Sequence, residues 1–456
     1  MSLTARASTP IPWGAEGSLN LQFPDSWPEP DVVQPDLSGP LEDYPGALGA
    51  ALDAPLGGTR LEDLVGPGMT VAVVVDDPSR WTPVSEALPV VLGRILEAGV
   101  RPSDVSISVG VGRHLAVDEE SMRRRVGEAV ARAYPCYSPP VDDIDQYVPL
   151  GETPQGVPVR VFRPVAEANV RVLIGSVLPH LQAGFGGGYK LIFPGTSHRS
   201  TLGALHRQGL GEGNAAALLG GDVRENPMRQ AIRAAADLLP GPCVSISHLL
   251  GHPGQVLSVA AGDVDQVQER LSGEARQRLR APASAPADVV IAGNHPWPGD
   301  PMQSFKVLLN HRASARADGV LVGLFWTDPE EIDRSFPMPA LKAIAASGVL
   351  GGWVVRRGLK AADRVVSAFK SPSRFMIRWA RELVADRAVL VYAPPLYQRL
   401  GPRLGPIRIF ENQELLWEAV AECLKGRPEL IRVFPSGGLT YCPVRDEGER
   451  RSSRES

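Results

Sequence analysis

Cysteine is scarce: Cys136, Cys243, Cys423 and Cys442 are the only four in 456 residues, and no two have a C-x-x-C spacing. Neither a disulfide framework nor a thiolate zinc site is indicated, and buried free thiols are expected. Long apolar runs are also missing. The longest candidates are strand-length pieces such as Val71 to Val75, well short of the roughly 18 residues a membrane span needs. No charge of one sign dominates, since 47 Lys plus Arg face 51 Asp plus Glu for a net charge of −4. That balance argues against a nucleic-acid binder or a polybasic membrane binder. The first residues, MSLTARASTPIPWGAEGS, carry no apolar core behind their Arg. No secretory signal is read there, and a cytoplasmic location is expected.

What is present is ordinary globular material, 43% hydrophobic, with 47 Gly and 43 Pro marking many turns. The length predicts two domains. Gly68 to Asp77 is a β-branched run ending in acids, the pattern of a strand buried on both faces of a parallel sheet. Pro83 opens a helix whose Val84, Leu88, Val91, Leu92, Ile95 and Leu96 share one face before Gly99. A second strand (Asp104 to Val111), a charged helix (Asp118 to Tyr134) and a third strand (Val170 to Val177) continue a βαβα order, which calls for parallel pairing with right-handed crossovers. The alternation resumes with strands at 287–293, 319–326 and 388–393 and helices near 303–314, 339–347 and 371–385. The fold class expected is therefore α/β: two α/β domains with mainly parallel sheets and the active site in the cleft between them. Expected boundaries are an extended arm over 1–40, domains over 41–275 and 288–440, a linker at 276–287 and a disordered tail from 441 to 456.

In such sheets ligands bind beyond the carboxyl ends of the strands. Unusual polar residues fall there: Asp77 and Arg80 after the first strand, His114 after the second, His180 after the third, and Asn294, His295, Asp300, Gln303 and Lys306 early in the second domain. Each alone reads equally as a cap, a surface ion pair or a solvated loop residue. His198, His248, His252, His295 and His311 are given no functional role. The densest stretch runs from His180 to Gly195, with Gly184, Gly186, Gly187 and Gly188 ahead of Lys190. It is neither a P-loop nor a dinucleotide fingerprint, because Tyr189 and Leu191 flank the Lys and the G-x-G-x-x-G spacing fails. A bare loop of this kind accepts a phosphate or flat ring, and Lys190 in its apolar sleeve suits covalent chemistry. A plain glycine turn with a snorkelling Lys fits about as well. His180 and His206 flank the loop and suit a metal ligand plus an acid/base group.

Taken in order, these motifs resemble the nickel-pincer-nucleotide-dependent lactate racemases and their 2-hydroxyacid racemase and epimerase relatives. Asp77-Pro-Ser-Arg80-Trp-Thr-Pro83 is similar to D-x-T-R-P-x-P, Gly112-Arg-His114 to G-x-H, His180 to Gly195 to H-x-x-x-G-F-S-G-G-x-K-x-I-x-P-G, and Gln303-Ser-Phe-Lys306 to Q-x-x-K. His206, sixteen positions after Lys190, falls at the family's metal-ligand position. The resemblance implies a nickel-pincer nucleotide (a pyridinium-3,5-bisthiocarboxylate mononucleotide) anchored at Lys190, with Gly186, Gly187, Gly188 and Asp77 as further cofactor contacts. It implies nickel completed by His206, His114 and His180 as acid/base imidazoles on opposite faces of the substrate, and Arg80, Gln303 and Lys306 as substrate ligands. The implied partners are a small 2-hydroxy acid and the enzymes that make the cofactor, with no nucleic acid and no membrane. Ser79, Trp81, Gly187 and Tyr189 depart from the family pattern, and Trp81 with Trp297 predicts a substrate larger than lactate. The alternatives are a mononuclear metal hydrolase built on His114, His180 and His206, or a non-catalytic carrier of the cofactor; a phosphotransferase ranks last because the P-loop test fails.

Overall fold

The computed structural model describes residues 9–14, 17–112, 116–210, 218–297, 301–335, 357–361 and 374–443. The chain forms two compact units, one from residues 37–211 and 220–278, the other from 1–36, 212–219 and 279–456. Both are α/β units with mainly parallel sheets.

The first unit is built on a six-stranded sheet in the order Val256–Asp263, Cys243–Leu250, Val170–Ser176, Val71–Asp76, Val105–Gly110, Cys136–Tyr137. All pairings are parallel except that between Val256–Asp263 and Cys243–Leu250. The β-branched run occupies the middle: every residue of Val71–Asp76 is buried, as a strand covered on both faces requires. Its register sets Val71 opposite both Val105 and Val170. The chain leaves Val71–Asp76 toward Val105–Gly110 and later returns on the other side as Val170–Ser176. The carboxyl ends of Val71–Asp76 and Val170–Ser176 therefore flank a topological switch point, where such sheets hold ligands. The helix Val84–Glu97 buries Val84, Leu88, Val91, Leu92 and Ile95, as its spacing predicted, and Ala87 as well, while Leu96 is half-buried. The helix expected over Asp118–Tyr134 is instead two, Glu119–Val126 and Glu128–Ala133. Gly127 separates them with φ of 90°, a conformation that ends a helix. The Cys243–Leu250 and Val256–Asp263 strands and the antiparallel hairpin Tyr147–Glu152 with Pro158–Phe162 are additions to the sequence reading.

The second unit has seven strands in the order Arg403–Leu404, Ile407–Phe410, Ala388–Tyr392, Ala315–Leu324, Ala287–Gly293, Ile431–Phe434, Asp31–Val32. Here the switch point lies between Ala287–Gly293 and Ile431–Phe434. Thr9–Trp13 and Gly17–Leu21 form a hairpin, and Phe23 and Trp27 pack on Trp417 with ring centroids 5.1 and 5.6 Å apart. The helix Val264–Leu279 runs into the stretch expected to be linker. The expected tail begins packed: Tyr441 and Cys442 are buried, the Ala281 amide donates to Tyr441 O, and the Cys442 amide to Asn310 O. The helix expected near 339–347 and residues 444–456 lie outside the described residues. Of the cysteines, only Cys442 is buried; Cys136, Cys243 and Cys423 are half-buried, and all four are free. No helix among the described residues is long and apolar enough to cross a membrane.

Among the described residues, each unit has one fully buried neutral imidazole. His248 Nδ1 donates to Gly175 O and Nε2 accepts from the Tyr44 hydroxyl, both at 2.8 Å. His311 Nδ1 donates to Val307 O at 2.8 Å and Nε2 accepts from Thr440 Oγ1 at 2.9 Å. Burial pushes both rings down to about 4 from an ordinary 6.5. The unfolded chain then takes up protons below pH 6.5 that the folded chain refuses until about pH 4. Stability is therefore lost as pH falls through that window, by up to about 3 kcal/mol per ring. Calorimetry should show melting temperatures falling from pH 7 to pH 4.5, with a shallower fall in the first unit for His248→Gln; an unchanged slope in that variant contradicts the assignment.

Candidate functional site

Beyond Asp76 the chain leaves the ladder for a turn, and a buried arginine supplies donors to its carbonyls. Arg125 donates from Nε to Asp76 O at 2.9 Å, and from Nη1 to Arg80 O at 2.9 Å and Thr82 O at 3.0 Å. Its Nη2 pairs with Asp76 Oδ1, while Asp76 Oδ2 accepts from Thr82 Oγ1 at 2.7 Å and Ser176 Oγ at 3.2 Å. Burial pushes the Asp76 carboxyl up, against the opposing pull of the Arg125 charge. The 77–82 turn is fixed from inside as well: Asp77 Oδ1 accepts the Ser79 amide at 2.9 Å, and the Trp81 indole N–H donates to Gly251 O at 3.0 Å.

Across the switch point, Val170–Ser176 leads into the two-residue ribbon Pro179–His180 with Gly184–Phe185. His180 Nδ1 accepts from the Gln182 amide at 3.2 Å and the Ala183 amide at 3.1 Å. A neutral ring held this way carries its proton on Nε2. Gln182, only 1% exposed, also donates through Nε2 to His206 O at 3.0 Å. One side chain therefore ties the His180 turn to the helix Arg199–Gln208. On that helix His206 Nδ1 donates to Leu202 O at 2.8 Å, which leaves the Nε2 lone pair as the ring's acceptor. That is the tautomer of a metal-binding imidazole. His198, outside any proposed chemistry, caps the same helix by accepting the Ser200 amide at 3.2 Å.

The glycine loop is close-packed. Gly187 has φ of 80° and Gly188 φ of 60°; a Cβ on Gly188 would lie 2.7 Å from Gln268 Oε1, and one on Gly187 3.0 Å from Ser176 O. Lys190 follows on the short 3-10 helix Gly188–Leu191, and its carbonyl accepts the Gly195 amide at 3.2 Å. Tyr189 lies under the Arg233 guanidinium, 5.5 Å from its ring centroid, and burial pushes its phenol up. The loop's carbonyls turn to Arg229, which is buried and pulled down to about 10 by desolvation.

In the second unit, Asn294 at its own switch point donates through Nδ2 to Trp326 O at 2.7 Å and Ser304 Oγ at 2.8 Å, and its Oδ1 accepts the Trp326 amide at 3.3 Å. Lys306 Nζ donates to Gln303 Oε1 at 3.0 Å and sits 5.6 Å from the Trp379 ring centroid. Trp297 is 6% exposed. Among the described residues no group of three or more His, Cys, Asp or Glu gathers as a metal site.

Residues 15–217 match the model of the lactate racemase N-terminal domain. The lactate racemase of Thermoanaerobacterium thermosaccharolyticum is 25% identical over 285 residues, covering 60% of this chain and 63% of that protein. That of Lactiplantibacillus plantarum is 23% identical over 315 residues, 64% and 73% of the two chains. In fold the chain is similar to the lactate racemase apoprotein of T. thermosaccharolyticum (TM-score 0.77, 18% identity, covering 96% of this chain and all of that one). It is also similar to a crystal structure from Thermotoga maritima (TM-score 0.63, 13% identity, covering 88% and 100%).

In this chain the His180 turn, the glycine loop with Lys190 and the His206 helix form one bonded assembly, and Asp77, Arg80 and Trp81 stand at the neighbouring strand end. Gln303, Lys306 and Trp297 belong to the other unit, and His114 lies outside the described residues. Sequence reasoning missed Arg125, Gln182, Asn226, Arg229 and Gln268, all of which act on backbone groups. Arg125→Met should lower the unfolding free energy by about 3–5 kcal/mol, because Asp76 is left buried without its partner, whereas Asp76→Asn with Arg125→Met recovers part of the loss. Denaturant titration of the two variants checks this.

Proposed function

We propose that this chain is an isomerase, a racemase or epimerase of a 2-hydroxy acid larger than lactate, working with a nickel-pincer nucleotide. The observation that carries the reading is the tautomer of the His206 ring: its Nδ1 donates to Leu202 O, which makes Nε2 the acceptor nitrogen, as in a metal-binding imidazole. The ring is tied through Gln182 to the turn that opens the glycine loop of Lys190. The residues fit the group: a loop that a Cβ would fill, a lysine on it, and an imidazole in the ligating tautomer. Lys190 would hold the nucleotide, through a covalent link in this reading, with Gly186, Gly187, Gly188 and Asp77 around it, and His206 would complete the nickel coordination. When bound, this group supplies reversible acceptance of the Cα hydride, which makes both faces of that carbon reachable.

The protein's own residues do the rest. A guanidinium suits a carboxylate, and Arg80 takes that role; Gln303, Lys306, Trp81 and Trp297 complete the substrate set, the two indoles favouring a bulkier side group. His114 and His180 handle the hydroxyl proton. With Nδ1 engaged by two amides, His180 meets a substrate oxygen as an Nε2–H donor that relieves negative charge there, and His114 serves as its counterpart. The setting is the cytoplasm, with the cofactor-making enzymes as maturation partners.

Intact-mass analysis after co-production with those enzymes tests the reading. A nucleotide-sized adduct is expected on the wild-type chain and lost in Lys190→Ala, while His206→Ala lowers the nickel content. An unmodified, nickel-free wild-type chain overturns it. Chiral analysis of candidate 2-hydroxy acids should show interconversion, slowed about 100-fold or more by His180→Ala. Turnover of lactate alone refutes the larger substrate.

A further inference from the structure

The glycine loop is shaped by a residue outside every motif noted above. Arg229, near the start of the helix Pro227–Ala236, donates from Nε to Ala183 O at 3.2 Å, from Nη1 to Gly187 O at 3.0 Å, and from Nη2 to Gly186 O at 2.7 Å and to Phe185 O. Gln268 adds a donor to Gly186 O at 3.0 Å. Asn226, which caps that helix by accepting the Arg229 amide at 3.0 Å, donates to Gln182 O at 3.0 Å. The carbonyls of the loop are thus drawn to one side.

In a trans peptide the N–H points opposite to the preceding C=O. Carbonyls of Phe185, Gly186 and Gly187 aimed at Arg229 therefore turn the amides of Gly186, Gly187 and Gly188 away from it. The Gly186 amide is used inside the fold, on Leu178 O. Those of Gly187 and Gly188 lie immediately before Lys190 and turn away from the carbonyls that Arg229 holds, two adjacent donors of the kind that meet an anion. We infer that Arg229 is a positioning residue for cofactor uptake: its guanidinium sets the polarity of the loop so that two glycine amides meet the nucleotide phosphate. This inference rests on the functional reading above.

The experiment compares Arg229→Lys with Arg171→Lys in the full chain. Arg171 is a fair control, being fully buried and bonded to the carbonyls of Val165, Ala166, Ala168 and Pro240, at the amino end of its strand and away from the glycine loop. Both variants should lose thermal stability. Only Arg229→Lys should raise amide hydrogen exchange of the 182–190 peptide in the apoprotein, by about tenfold, and lower the fraction of chains carrying the Lys190 adduct. Equal exchange and equal loading in the two variants overturn the inference. If Arg229→Lys does not fold, Asn226→Ser, which keeps an oxygen for the cap and removes the donor to Gln182 O, should loosen the same peptide in the same direction; no change refutes the clamp. If the wild-type chain takes no adduct, the functional reading fails, while exchange still decides whether Arg229 holds the loop.

Discussion

Buried guanidiniums hold together the two loops at the switch point of the first unit. A loop at a strand end must turn its backbone without a ladder to satisfy it, and each buried carbonyl left unmet costs about 1–3 kcal/mol. Arg125 meets three such carbonyls after Val71–Asp76 and Arg229 meets four in the glycine loop. Arginine suits this work because its five donors spread in a fixed plane, where a lysine offers three on one atom. Once the carbonyls are anchored, the side chains and amides on the opposite edge have fixed directions, and the switch point becomes a rigid frame.

The imidazoles are set by the same backbone. His180 receives two amides on Nδ1, and His206 gives its Nδ1 proton to a carbonyl one helical turn back. The two rings are therefore opposite tautomers, one presenting a donor and the other a lone pair at Nε2. Helix geometry alone explains His206, since a ring four residues after a carbonyl reaches it. His180 owes its state to the tight turn into Gly184, and Gln182 joins the two segments so that neither moves alone.

Much of the frame was legible in the sequence. Val71 to Val75 announces a strand buried on both faces because nothing polar interrupts it, and the Val84 to Leu96 spacing gives the helix that covers it. The clamps were not legible. Arg125 closes the run Arg123-Arg124-Arg125, which reads as a solvated face, yet it lies inside with Met122 and Val126. Arg229 sits in a helix of small residues, and its burial makes sense only beside carbonyls more than 40 positions earlier. Gly127 was visible as a residue, but its positive φ, which splits one expected helix in two, is a property of the packed turn. Trp81 was recognisable as a departure from the motif; its tether to Gly251, 170 residues on, was not.

The two clamps differ in charge, and the difference matches the division of labour proposed for the loops. Arg125 is paired with Asp76, so the turn carrying Asp77 and Arg80 is held by a neutralised couple, and the field there is left to Arg80. Arg229, among the described residues, is bonded to carbonyl dipoles and to no carboxylate; Asp265 acts on it only at a distance. A full positive charge therefore stands behind the glycine loop in a region of low dielectric, where it is poorly screened. Desolvating an unpaired guanidinium is expensive, and a stabilising role alone would favour a carboxylate partner, as at Asp76. The arrangement makes sense if an anion completes it from the other side of the loop, across the amides of Gly187 and Gly188 and next to Lys190.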